Sequence, residues 1–234
     1  MSFSVAQDQN LAARLKRVEA DVAAAAINAG RAPPEVAIVA VSKTVDRATV
    51  DAAYALGLRH FGENRVQDAA RKFDSPLAPD AHLHLIGQLQ SNKARAALAL
   101  FAIIESVDRP SLIDALEKEA ERRAQAAPVL LQVNVAREPQ KAGCDPDEAP
   151  ALMARLVRSP WLLPRGLMTM APLVDDAEET RPVFAGLRAL RDELQRQHPA
   201  VDLHELSMGM SNDYPVAIAE GATSVRIGRA IFGG

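Results

Sequence analysis

Lys43 closes an apolar, β-branched run, Val36-Ala-Ile-Val-Ala-Val41, and follows Ser42. A strand that ends this way can deliver its lysine into a barrel mouth instead of bulk water. Apolar neighbours disfavour the ammonium form and leave an amine able to attack a carbonyl. Far downstream, Leu206-Ser-Met-Gly-Met-Ser-Asn212 and Ser224-Val-Arg-Ile-Gly-Arg229 have the composition of a phosphate cradle. Ser207 and Ser211 stand in the first loop, and Gly209 and Gly228 let backbone N–H groups approach an anion. A helix starting near Asn212 would add the positive end of its dipole. An aldehyde-reactive lysine beside a phosphate cradle suggests pyridoxal phosphate. The plainer readings are a surface lysine and glycines that serve tight turns.

Arg226 lies inside an otherwise apolar strand, between Val225 and Ile227. A guanidinium there must be paired or must face a ligand, and its expected structural partners are Glu205 or Glu220. Its cofactor role would be a hydrogen bond to a pyridine nitrogen, which would keep that nitrogen unprotonated and weaken the ring as an electron sink. Met168, Met170, Met208 and Met210 are candidates to pack a ring, although core filling is the ordinary use of methionine. His82 and His84 share one face of a strand, but no carboxylate or third histidine stands at ligand spacing beside them, so a metal is not expected. Cys144 has no evident base near it and reads as a bystander. Lys93 and Lys141 read as solvated lysines, with secondary cofactor acceptance as the alternative.

The chain that must position these groups has 234 residues, 48% of them hydrophobic and 24% charged, as in ordinary globular proteins. Only 4% are aromatic, so the core must come from Leu, Val, Ile and Ala. The 27 basic and 30 acidic residues are mixed without a basic stripe, which argues against nucleic acid as a partner. A single cysteine rules out an internal disulfide framework and fits a reducing compartment. No run approaches a membrane span, and the N-terminal segment, with Asp8, Glu19 and Asp21, is neither a secretory nor a transit signal. A cytoplasmic protein is expected.

Leu11, Leu15, Val18 and Val22 mark one face of an opening helix that Gly30 ends. Eight runs of strand character follow: 36–43, 60–63, 82–87, 103–107, 129–135, 166–170, 203–207 and 223–227. Helical segments separate them. Asp46, a capping box at Ser111-Leu-Ile-Asp114, Asp145-Pro146 and Asp176 signal helix starts. Strands alternating with helices imply parallel pairing, and eight units imply a closed (β/α)8 TIM barrel in a single domain, 1–234, with residues 1–30 packed on it. The alternative, an open doubly wound sheet, finds no G-x-G-x-x-G and no P-loop. In such a barrel chemistry sits at the C-terminal ends of the strands, which would gather Lys43, Glu63-Asn64, Gln88, Ser91-Asn92-Lys93, Asn134, Ser207 and Arg226 to Arg229 at one mouth.

Ala40-Val-Ser-Lys-Thr44, His60-Phe-Gly-Glu-Asn64, His84-Leu-Ile-Gly-Gln-Leu-Gln-Ser-Asn-Lys93, Gly166-Leu-Met-Thr-Met170, Leu206-Ser-Met-Gly-Met-Ser211 and Val225-Arg-Ile-Gly228 together resemble the YggS/PROSC family of pyridoxal phosphate homeostasis proteins. The resemblance runs in order from about residue 36 to Gly234. It implies a fold-type-III barrel like the N-terminal domain of alanine racemase, with pyridoxal phosphate as a Schiff base on Lys43. It also implies phosphate contacts from Ser207 and the backbone of Gly228 and Arg229, Arg226 at the ring nitrogen, and Asn64 lining the ring. Arg229 departs from many relatives, which have a small hydroxyl residue there, so a side-chain contact is lost while the backbone donor survives. The racemases add a β domain with a second, tyrosine base; this chain ends soon after strand eight, with only Tyr54 and Tyr214.

Three readings compete. The first is a non-catalytic carrier or regulator of vitamin B6, with apo forms of pyridoxal-phosphate enzymes as receivers, expected to be a monomer. The second is a weak racemase or lyase using Lys43 as its base. The third is an aldolase-like barrel that uses the same lysine on a sugar phosphate.

Overall fold

The computed structural model describes residues 2–233. Eight parallel strands close into a barrel in sequence order: β1 (Ala37–Val41), β2 (His60–Glu63), β3 (His82–Leu85), β4 (Ile103–Val107), β5 (Ala127–Gln132), β6 (Leu162–Met168), β7 (Glu205–Met210) and β8 (Ser224–Ile227). The ring closes where β1 pairs with β8, Ala37 opposite Ser224 and Ala40 opposite Ile227. The expected (β/α)8 architecture is thus present. Helices α1 (Ser2–Asn28), α2 (Arg47–Ala55), α3 (Val66–Lys72), α4 (Ala94–Leu100), α5 (Pro110–Arg122), α6 (Ala149–Arg158), α7 (Arg181–Gln197), α8 (Tyr214–Ala219) and α9 (Arg229–Phe232) complete the fold. Among the described residues no helix is long and apolar enough to cross a membrane.

In α1 the predicted stripe is buried: Leu11, Leu15, Val18 and Val22 pack against the barrel's helices, joined by Ala26. Gly30 adopts φ 71°, and the Arg31 amide returns to the Ala26 carbonyl, a left-handed C-terminal cap that favours glycine. Asp46 caps α2 by accepting from the Thr49 amide at 2.9 Å. The other start signals fare differently. Helix α5 begins at Pro110 after Arg109 with no side-chain cap, so the capping box at Ser111 does not form; proline at the first turn sets the start two residues earlier. Asp145 closes a turn on the Asp147 amide, and α6 begins only at Ala149. Asp176 caps a short 3-10 helix that leads into α7.

Between the strands and the helices lies the main apolar core, which includes Phe61, Ile104, Leu131, Leu167, Leu206 and Val225. Strand alternation sends the opposite residues into the barrel. There the filling divides in two. Ile103, Leu130 and Met168 form a small apolar cluster with Met170 above it. The other half is polar, with His84, Glu105, Ser207 and Arg226 all buried.

Candidate functional site

Two adjoining cavities open at the C-terminal ends of the strands. The larger, about 850 Å³, is lined by Lys43, Asn64, Gln88, Lys93, Gln132 and Arg226 among others. The smaller, about 430 Å³, is lined by Lys43, Ser211, Asp213, Arg226, Gly228 and Arg229. Val41, Lys43, Met210 and Arg226 belong to both, so they form the wall between two lobes. Lys43 and Arg226, 183 residues apart in sequence, meet here because β1 and β8 are the strands that close the ring.

The Lys43 side chain is exposed at this wall and makes no hydrogen bond or ion pair with any described residue. The apolar enclosure expected from its leading run is absent: Val39, Ala40 and Ser42 are buried in the barrel wall, and the chain emerges from it at Lys43. The adjacent position is held tightly. Ser42 Oγ donates to Glu63 Oε1 at 2.7 Å, and Lys72 Nζ donates to both Glu63 Oε1 and the Ser42 carbonyl, at 2.7 and 2.6 Å. Glu63 therefore faces the helix layer, not the mouth where the sequence placed it, and with Lys72 it ties down Ser42 and its own position, the residues just before Lys43 and Asn64.

Arg226 is 4% exposed, yet it reaches both lobes. It donates to Ser207 Oγ and to the Thr169 carbonyl, both at 2.6 Å. Neither expected carboxylate pairs with it: Glu220 pairs with Arg181 and Arg188 on the outside. Burial lowers the Arg226 pKa, while the nearby charges of Glu105 and Asp213 support its cation.

Ser207 and Met168 depart from their expected places. Both are fully buried and line neither lobe. The Ser207 hydroxyl donates to Glu105 and accepts from Arg226, so it lies beneath the mouth as a link and is already engaged. Met168 packs on Ile103 and Leu130 one layer down, and Met170, two residues on, takes the place in the lining. Met208 points the other way, into the outer core. Asn134 is tied into its own loop through Glu138. Asn64, Ser211, Arg226, Gly228 and Arg229 do line the lobes.

The small lobe is built from turns. Gly209 has φ 91°, and a side chain there would lie 2.6 Å from the Ala217 Cβ, so glycine is what lets β7 turn tightly into α8. Asp213, before α8, accepts from the Met210 amide at 2.6 Å and folds the Ser211–Asn212 turn back over the lobe. Gly228 opens α9, where a Cβ would sit 3.3 Å from the Val41 carbonyl oxygen.

Sequence reasoning missed the lining of the large lobe by Gln132 and Gln140, which nothing in local pattern marks. It also missed that His84 has a histidine and a carboxylate at hand. His60 arrives from β2 with Nδ1 3.0 Å from His84 Nε2, and Glu105 arrives from β4 with Oε1 2.6 Å from His84 Nδ1. Even so, no group of three or more potential ligands among the described residues is disposed to hold a metal. Cys144 is buried and its thiol is pushed up to about 12, first by burial and then by Glu148 and Asp108, which suits a bystander.

The model for the alanine racemase N-terminal domain matches residues 15–234. The pyridoxal phosphate homeostasis protein of Aquifex aeolicus (strain VF5) is 40% identical over 224 residues, covering 96% of this chain and 98% of that protein. The protein of the same name from Pseudomonas aeruginosa is 40% identical over 223 residues, 95% of each chain. Among solved structures, PipY of Synechococcus elongatus PCC7942 with PLP bound superposes with a TM-score of 0.82 at 41% identity, over 95% of this chain and 100% of that one. Likeness of this extent along nearly the whole chain places it in the family of pyridoxal phosphate homeostasis proteins.

Proposed function

We propose that this chain binds pyridoxal 5'-phosphate at the two-lobed mouth and serves in cofactor homeostasis as a carrier or regulator without catalytic turnover. The observation that carries the reading is the juxtaposition of an unpaired lysine, a buried arginine and a glycine-built lobe around one shared wall. The residues fit the group. Arg226 has five N–H donors and uses two on protein atoms, and Gln132 keeps a buried carbonyl oxygen without a partner beside the large lobe.

When bound, the cofactor supplies an aldehyde that condenses with an amine, releasing water, and a phosphate that anchors it. Lys43 provides the amine. Ser211 and the backbone N–H groups of Gly228 and Arg229 provide the small lobe's donors for the phosphate, and the Arg229 guanidinium adds positive charge. Arg226 directs its remaining donors at the ring nitrogen and keeps a proton off it, because arginine does not give one up. Asn64 and Met170 flank the ring.

Tyr54 and Tyr214 support the non-catalytic side of this reading. Tyr54 donates to Asp80 on the outer helical layer, Tyr214 is buried at the start of α8, and neither lines a lobe. A second base of the tyrosine type is thus lacking among the lining residues. The cofactor's receivers would be apo enzymes, and the chain would act as a cytoplasmic monomer.

The test is an absorbance titration with pyridoxal phosphate, followed by borohydride reduction and peptide mapping. A pyridoxyl adduct on Lys43 that disappears in Lys43→Ala is the expected result. Adducts scattered over surface lysines would sink the reading. Exchange of an amino acid's Cα hydrogen that depends on Lys43 would instead favour the weak racemase or lyase.

A further inference from the structure

Five polar side chains run in single file through the barrel, from the mouth to its opposite end. Arg226 donates to Ser207 Oγ, and since arginine has only donors, the hydroxyl must accept. Its one proton then goes to Glu105 Oε2 at 2.6 Å. The other oxygen, Oε1, lies 2.6 Å from His84 Nδ1, and His84 Nε2 lies 3.0 Å from His60 Nδ1. His60 borders a third cavity of about 660 Å³, at the N-terminal ends of the strands. Five strands, β2, β3, β4, β7 and β8, contribute one residue each, so only the closed barrel assembles the file.

The direction of the file follows from its ends. An ionised Glu105 accepts from both sides. A neutral His84 that donates from Nδ1 leaves Nε2 as an acceptor, and His60 must then carry its proton on Nδ1. Every donor in the file therefore points toward Glu105. Burial alone would raise the Glu105 pKa, but hydrogen bonds from His84 and Ser207 and the charge of Arg226 bring it down, which holds the carboxylate ionised.

A file of this kind is an expensive way to fill a barrel. Glu105 is 1% exposed and Ser207 fully buried, and buried ion pairs are often no better for stability than apolar residues of the same size. Across the same interior, Ile103, Leu130 and Met168 do the filling at no such cost. What the polar half achieves is a fixed guanidinium plane: Ser207 and the Thr169 carbonyl hold one edge of Arg226, and its free donors are left facing the lobes.

We infer that Glu105 is the positioning residue for Arg226, and that the His84–His60 pair, accessible from the far end of the barrel, sets how firmly Glu105 holds it. This rests on the reading in which Arg226 meets the cofactor's ring. Charged and titratable groups facing the pair are His82, which stacks on His60 with ring centroids 5.1 Å apart, Glu105 from β4, Arg165 from β6, His204 and Glu205 at β7, and Arg31 and Glu35 before β1. A proton added to the pair draws Glu105 toward the histidines, loosens the Ser207–Arg226 link and weakens the cofactor's hold, although neither histidine lines the mouth.

The experiment compares wild type, Glu105→Gln and His60→Asn by pyridoxal phosphate titration from about pH 7 to about pH 4, so that the range reaches the lowered His60 pKa of about 4. It reads affinity, the absorbance band and the borohydride adduct, with Trp161 fluorescence reporting the fold. Glu105→Gln is expected to keep the Lys43 adduct, bind about tenfold more weakly and shift the band. His60→Asn keeps a donor toward His84 but cannot titrate, so its affinity should fall less on acidification than that of the wild type. The cofactor's own titration is common to both proteins. If the wild type forms the Lys43 adduct while both variants match it in affinity, band and pH profile, the positioning role is wrong and the binding reading stands. If the wild type forms no adduct on Lys43, the binding reading itself is wrong. Should Glu105→Gln fail to fold, the pH profile of His60→Asn decides alone, and a profile as steep as the wild type's overturns the inference.

Discussion

At the scale of single residues, the mouth separates groups that must be free from groups that must be fixed. Lys43 is exposed and unpaired, whereas Arg226 is locked at two points in the interior. That difference predicts different outcomes on mutation. Lys43→Ala should abolish the covalent adduct while leaving the urea midpoint of the apo protein nearly unchanged, because an exposed substitution typically moves stability by less than about 0.5 kcal/mol. Arg226→Gln should destabilise the protein by about 1–3 kcal/mol, since it strips the buried Ser207 hydroxyl and Thr169 carbonyl of a donor and removes a charge that supports Glu105. Urea unfolding of the two apo variants, side by side, checks both expectations.

At the scale of elements, the small lobe depends on how tightly β7 passes into α8 and β8 into α9. An alanine at Gly209 would need φ 91° and would press within 2.6 Å of Ala217, so it must push α8 away and spoil the turn at Ser211. Gly209→Ala is expected to weaken pyridoxal phosphate binding more than it weakens binding of phosphate-free pyridoxal, a comparison that absorbance titration can make directly. Gly30 is the control. It has φ 71° with nothing within 4 Å of an added Cβ, so Gly30→Ala should cost only about 1–2 kcal/mol of backbone strain and leave the cofactor's affinity alone. Helix α1 also braces the lobe from behind, where Arg14 donates to the Ile231 and Phe232 carbonyls at the end of α9.

For the molecule as a whole, the divided interior makes acid stability a property of the barrel. The His60 pKa is lowered to about 4 by burial first, and then by His84 and His82. Between its unfolded value of about 6.5 and that lowered value, the unfolded chain binds a proton that the folded one refuses, so stability falls as pH drops through this window. His60→Asn should flatten the fall, which thermal unfolding between about pH 7 and about pH 4 would reveal; a wild-type slope in the variant would refute the assignment.

Much of this was readable in the sequence, for reasons that are local. Strand ends marked by β-branched runs, helix starts such as Asp46 and the left-handed stop at Gly30 depend on neighbours a few residues away, and eight such units leave little choice but a closed barrel. Lys43, Ser211, Gly228 and Arg229 could be named because residues at the C-terminal ends of barrel strands share one rim whatever the details. Depth along a strand was another matter. Ser207 against Ser211, and Met168 against Met170, are separated by a few residues in one chain segment, and only the register of β6 and β7 in the ring decided which reached the lining and which sank beneath it. The partnership of His60, His84, Glu105, Ser207 and Arg226 had no sequence signal at all. Its members come from five strands, and hydrogen bonds of this length exist only once barrel closure brings the interior faces of those strands together.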